Sequence, residues 1–186
     1  MSADETLTEA DQKMKRAVSV TREELASVRT GRATPAILSR ITVDYYGAPT
    51  PLNQLASFSV PEPRLLVIQP YDRNSMSQIE KAIMQSDLGL TPSNDGQLIR
   101  LPFPPLTEER RKELIRLVHQ RAEEGRVAVR NVRRHAKEEL ERLEREHTIS
   151  EDDLARAEKE LQKHTDRHVS EIDELLSGKE KELMEV

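Results

Sequence analysis

A chain of 186 residues with 35% apolar side chains, 34% charged side chains and a net charge of −5 suits one large or two small domains rich in long, exposed helices. It holds no cysteine, which excludes disulfides, thiolate metal sites and a cysteine nucleophile. No apolar run approaches the roughly 20 residues that a membrane span needs, and the N-terminal stretch Met1 to Thr6 is acidic without an apolar signal core, so a soluble cytoplasmic protein is expected.

Composition divides the chain. Every proline lies between Pro35 and Pro105 and every aromatic residue between Tyr45 and Phe103, whereas the flanks are charged and rich in helix formers. The expected architecture is α+β: a three-helix bundle from residues 1–30 and 106–186, interrupted by a small α/β domain at 31–105. The first helix is predicted from about Thr6 to Arg29, because Leu7, Ala10, Met14, Val18, Thr21, Leu25 and Val28 recur three and four apart. Thr30-Gly31 stops it.

Within the insert, Ile41 to Tyr46 reads as a strand, Leu55 to Val60 as a second, and Pro61-Glu-Pro63 as a rigid turn. Arg64 to Gln69 is a continuous apolar run, predicted as a strand buried on both faces. A short helix from about Ser75 to Ser86 buries Ile79, Ile83 and Met84, and Asn94-Asp95-Gly96 turns into a last strand over Gln97 to Leu101. Tyr45, Tyr46, Phe58 and Tyr71 could stack on nucleic acid bases, but the better reading places most of them in the core of a domain that has few other large side chains.

Thr107 is an N-cap for a helix of about 40 residues, whose seam runs through Leu114, Val118, Ala122, Gly125, Val129, Val132, Ala136, Leu140 and Leu143. Gly125 in mid-helix costs about 1 kcal/mol against alanine, so it either admits a close neighbour or is a tolerated defect. Ser150 caps a third helix, with its seam at Leu154, Ala157, Leu161, Thr165, His168, Ile172, Leu175 and Leu183.

The second long helix carries the main chemical signal. Arg126, Arg130, Arg133 and Lys137 repeat at helical spacing beside the apolar seam, and no acidic residue occurs from Gly125 to Lys137 in an otherwise acidic chain. Such a stripe is either a solvated face or a phosphate-binding strip for nucleic acid. His164 and His168 stand four apart, a metal-compatible spacing, but no further ligand motif accompanies them. No nucleophile elbow, phosphate-binding glycine loop or zinc-protease motif occurs, so an enzyme is not expected.

Several segments together resemble the bacterial ribosome recycling factor family: Ser27-Val-Arg-Thr-Gly-Arg-Ala-Thr-Pro35, Val43-Asp-Tyr-Tyr-Gly47, Thr50 to Ala56, Ser86 to Leu90, Leu106 to Lys112 and Val129-Arg-Asn-Val-Arg-Arg134. The likeness runs along the whole chain in order, and Gly125 departs from the family pattern, which carries a better helix former there. The resemblance implies an L-shaped, tRNA-sized, two-domain protein whose bundle lies on large-subunit ribosomal RNA. It also implies that, with elongation factor G and GTP, the protein splits the subunits and frees the messenger RNA.

On the same grounds Arg130 and Arg133 are the leading RNA contacts, and Arg134, Arg29 and Arg110 are supporting ones. Arg126 and Lys137 join them from the stripe. An alternative for Arg29 and Arg110 is pairing with acids near the domain junction. The two connections between domains, with Thr30, Gly31 and Arg32 on one and Pro102, Pro104 and Pro105 on the other, are expected to form a hinge. The expected protein is a monomer without cofactor or metal, bound to neither membrane nor DNA. The competing class is a helical adaptor or chaperone that binds proteins, for which the basic stripe is incidental.

Overall fold

A computed structural model describes residues 1–185. The chain forms two compact units, one from Met1–Leu25 and Arg116–Glu180, the other from Ala26–Ile115 with residues 181–185.

The first unit is a three-helix bundle built from α1 (Ala3–Ala26) up to Leu25, α3 (Glu108–Arg145) from Arg116 and α4 (Glu151–Met184) up to Glu180, while α2, the first two turns of α3 and the last residues of α4 belong to the second unit. α1 begins three residues before the expected Thr6 because Ser2 and Glu5 form a capping box. Glu5 N–H donates to Ser2 Oγ at 3.1 Å and Ser2 N–H to Glu5 Oε2 at 3.0 Å. It ends at Ala26 rather than Arg29, ahead of two β-branched residues, Val28 and Thr30, that favour helix less.

α3 starts at Thr107, whose Oγ1 accepts the Arg110 N–H at 3.1 Å. At its end His147 takes a left-handed conformation (φ 58°), Thr148 N–H bonds Leu143 O at 2.9 Å and His147 N–H bonds Glu144 O at 2.9 Å, the paired bonds of a Schellman stop. Ser150 and Asp153 then cap α4 reciprocally. The tight stop folds α4 antiparallel to α3, so that Arg126 meets Asp173 and His119 meets Glu180.

All three helices converge at Gly125. A Cβ there would run into the Thr21 hydroxyl of α1 and come within 3.2 Å of Ile172 Cδ1 of α4. The glycine is therefore a close-approach site and not a tolerated defect. Most seam positions are buried as expected, including Met14, Val18, Val118, Ala122, Val129, Leu140, Leu161 and Ile172. Leu7, Val132, Leu154 and Leu175 are only half-buried, while Thr6 and Leu176 lie inside. A helix turning 3.6 residues per turn drifts away from a strict seven-residue repeat, which carries a neighbouring position inward.

The second unit contains a hairpin, β1 (Thr42–Tyr45) with β2 (Ala48–Pro51), and an antiparallel sheet in the order β3-β4-β6-β5, from Ala56–Glu62, Leu65–Pro70, Ile99–Pro102 and Ser93–Asn94. Pro61 belongs to β3 and not to a turn; β3 is an edge strand with an irregular register between Ser59 and Glu62, where a missing N–H is tolerated. β4 alternates, with Leu66, Ile68 and Pro70 buried and Gln69 exposed, rather than being buried on both faces. An antiparallel sheet with one well-covered face produces that alternation.

α2 (Met76–Gln85) inserts Met76, Ile79 and Ile83 into the core and leaves Met84 exposed. Of the aromatic residues only Phe103 is fully buried. Tyr45 and Phe58 pack partly against the core, and Tyr46 and Tyr71 are 76% and 71% exposed, against the expectation of core positions. Tyr46 sits in the hairpin turn and Tyr71 follows the strand-ending Pro70, and neither site projects inward.

Candidate nucleic-acid interface

The basic strip of α3 resolves into residues with different freedom. Arg130 has 54% of its side chain in solvent, and its nearest acid is Glu123 Oε1 at 3.4 Å, itself exposed. Arg134 is exposed and, among the described residues, has no carboxylate partner. Arg133 is half-buried against α4, where its Nη1 donates to Gln162 Oε1 at 3.3 Å, and Gln162 Nε2 in turn donates to Asp166 Oδ1 at 2.8 Å. Gln162 thus orients Arg133 without neutralising it.

Beside it lies a shallow groove of about 340 Å³, lined by Arg133, Lys137, Lys159, Glu158 and Gln162 among others. Lys137 keeps a long, exposed contact of 3.8 Å with Glu141. Lys159 and Gln162 were missed in the sequence. Their signal was the short turn near His147, which sets α4 antiparallel and brings this stretch opposite Arg133.

Arg126 is engaged differently. Its Nε donates to Asp173 Oδ1 at 2.8 Å, its Nη1 to Glu123 Oε2 at 3.0 Å, and only 18% of its side chain is exposed. Burial by itself would lower its pKa, but the two carboxylates outweigh this and hold the guanidinium above its ordinary value. It clamps α3 to α4.

In the second unit, Arg29 is half-buried and bonds no acid among the described residues. Its Nη2 donates to the Pro104 carbonyl, its Nε is buried without a partner, and its guanidinium carbon lies 6.0 Å from the centre of the Phe103 ring. Burial, and then the neighbouring charge of Arg110, depress its pKa. Arg110 pairs with Glu113 at 2.9 Å on the exposed face of α3. Of the two, only Arg110 pairs with an acid among the described residues, and that acid lies on its own helix.

The six residues expected at a hinge all fall within the second unit. Thr30 is buried and its Oγ1 accepts the Arg32 N–H at 3.2 Å, Arg32 reaches Glu185 at 3.5 Å, and Gly31 has open space where a Cβ would stand. Pro102 is the last residue of β6, and Pro104 and Pro105 are exposed.

His164 and His168 gather around Asp11 of α1, with His168 Nε2 2.8 Å and His164 Nδ1 3.3 Å from its Oδ1, and Arg167 completes the cluster at 2.5 Å. This is a helix-to-helix clasp with one carboxylate at its centre. Among the described residues no group of three or more metal-ligating side chains forms. No helix among them is long and apolar enough to cross a membrane.

Chemically, the strip offers planar forks of donors, spaced along one helix, to an extended polyanion. Comparison with known proteins gives that surface a context. The family model for ribosome recycling factor matches residues 21–184. Ribosome-recycling factors from Acidothermus cellulolyticus and Thermobifida fusca are 57% and 58% identical over 183 residues, covering 98% of this chain and 99% of each relative. A solution structure of ribosome recycling factor aligns over 100% of this chain and 99% of its own, with a TM-score of 0.79 and 47% identity. A chain from models for the T. thermophilus ribosome recycling factor and the E. coli elongation factor G bound to the E. coli post-termination complex aligns over 100% of both chains with a TM-score of 0.71 and 49% identity.

Proposed function

The chain belongs to the ribosome recycling factor family, and from that premise we propose that it binds the post-termination ribosome and, with elongation factor G and GTP, separates the subunits and releases messenger RNA. The observation that carries the reading is the solvent-facing guanidinium strip on α3, where Arg130 and Arg134 stand open and Gln162 holds Arg133 in place. Large-subunit ribosomal RNA supplies the phosphates. The contact energy is electrostatic and depends on salt, because each neutralised phosphate releases counterions.

The factor performs no bond chemistry in this scheme. GTP hydrolysis belongs to elongation factor G, and the protein works in the cytoplasm as a monomer that needs no cofactor. Residues 1–30 and 106–186 act as the RNA-binding domain and residues 31–105 as the domain that receives the partner's force. Gly31 provides the flexible point of the hinge, and Arg29 ties the two connections to each other by bonding the Pro104 carbonyl. Arg126 supports the strip by fixing the helix that bears it.

The test is sedimentation of the chain with purified ribosomes across a salt series. The reading predicts co-sedimentation that weakens steeply with salt and is reduced in the Arg133→Ala variant. Co-sedimentation that is absent at low salt, or unchanged by the substitution, would favour a protein-binding adaptor instead.

A further inference from the structure

Rungs of polar side chains cross from α3 to α4 at a spacing of about two helical turns. His119 meets Glu180 and Arg126 meets Asp173, a step of seven residues forward on α3 and seven back on α4, as antiparallel helices require. The same step taken once more leads to Arg133 on α3 and Asp166 on α4. The first two rungs close by direct contact between the two side chains, and the third does not.

At the third rung Gln162, one turn before Asp166 on α4, stands between the two charges. Its Oε1 accepts from Arg133 Nη1 at 3.3 Å, and its Nε2 donates to Asp166 Oδ1 at 2.8 Å. Among the described residues no carboxylate lies within ion-pair distance of Arg133. A guanidinium only donates and a carboxylate only accepts, so both neighbours demand the same orientation of the amide. The amide satisfies each charge without letting the two meet. Arg126 shows the alternative, since its two carboxylates leave only 18% of its side chain in solvent.

We propose that Gln162 is a positioning residue for RNA binding, a neutral spacer that keeps Arg133 from pairing with Asp166 and so leaves its charge available to a phosphate. Without the spacer, the register of the bundle brings Arg133 onto Asp166 as it brings Arg126 onto Asp173. A guanidinium already paired with a carboxylate must give up that partner before it takes a phosphate, which weakens the contact and its salt dependence. This role rests on the RNA-binding reading of the strip. It also accounts for the different duties of two arginines that occupy equivalent places in the repeat, one clamping the helices and the other left unneutralised.

The experiment measures sedimentation with purified ribosomes across a salt series for the wild type, Gln162→Ala, Asp166→Asn and the double variant. Gln162→Ala should bind about fivefold more weakly at low salt, with the slope of log affinity against log salt smaller by about one unit. Asp166→Asn alone should stay near wild type, because Gln162 already holds that carboxylate away from Arg133. In the double variant Asp166→Asn should return affinity and slope to near wild type, since the competing acid is gone. Equal gains from Asp166→Asn in both backgrounds would report only the loss of a negative charge and would overturn the spacer role. Wild-type binding by Gln162→Ala overturns it too, as does a Gln162→Ala defect that Asp166→Asn leaves unrepaired. A folding defect in Gln162→Ala is shared by the double variant, so the comparison of those two decides in that case as well. A wild-type chain that does not sediment with ribosomes overturns the functional reading and this role together.

Discussion

Gly125 of α3 faces Thr21 of α1 so closely that a methyl group on the glycine would overlap the threonine hydroxyl, which is itself bonded to the Ala17 carbonyl at 2.9 Å. Alanine would gain about 1 kcal/mol of helix propensity at this position. Overpacking a tight contact costs roughly 1–3 kcal/mol. Gly125→Ala is therefore expected to lower stability in denaturant melts, and Thr21→Ala in the same chain should recover part of the loss. A stabilised single variant would show that the helices can separate at no cost.

Leu140 is fully buried in the bundle. Leu140→Ala should destabilise by roughly 2–5 kcal/mol, from lost transfer energy and the cavity left behind. A urea midpoint within error of wild type would contradict the seam.

Asp11 is pushed up by burial, but its bond to His168 and the charges of Arg167, His164 and His168 outweigh that and leave its pKa below the ordinary carboxylate value. A carboxylate depressed on folding adds stability that is present above its unfolded pKa of about 4 and is lost as pH falls through the folded one. Asp11→Asn should therefore be less stable than wild type at pH 7, and the difference should shrink as pH falls below about 4. Melting curves over that range check it, and a gap that widens on acidification would reverse the sign.

Much of this fold was legible because helix signals are local. Thr107, Ser150 and the long seams place α3 and α4 within a residue or two, and the clustering of prolines and aromatics marks the insert. The Ser2-x-x-Glu5 box was also present in the sequence and was overlooked. Less legible was anything that depends on tertiary pairing. The reach of Thr21 to Gly125, the salt bridge that removes Arg126 from solvent, and the arrival of Lys159 opposite Arg133 all follow from how α3 and α4 fold back on each other. β2 and β5 were missed because proline-bearing or two-residue strands carry little propensity and form only against a partner.

The division of labour within the strip is testable by salt dependence. Arg130→Ala and Arg133→Ala should each reduce the slope of log affinity against log salt by about one unit per lost phosphate contact, with the fold unchanged by circular dichroism. Arg126→Ala should lower thermal stability first, because Asp173 and Glu123 then lose their shared cation. A larger slope change for Arg126→Ala than for Arg130→Ala would mean that the clamp opens on RNA.

The most direct measurement is light scattering of post-termination ribosomes mixed with the chain, elongation factor G and GTP. The account predicts rapid loss of scattering as subunits part, and at least a tenfold slower loss when Arg130 and Arg133 are both replaced by alanine in a protein that still folds. Splitting at the wild-type rate by that double variant would contradict the claim that the guanidinium strip of α3 is what holds the factor on the ribosome.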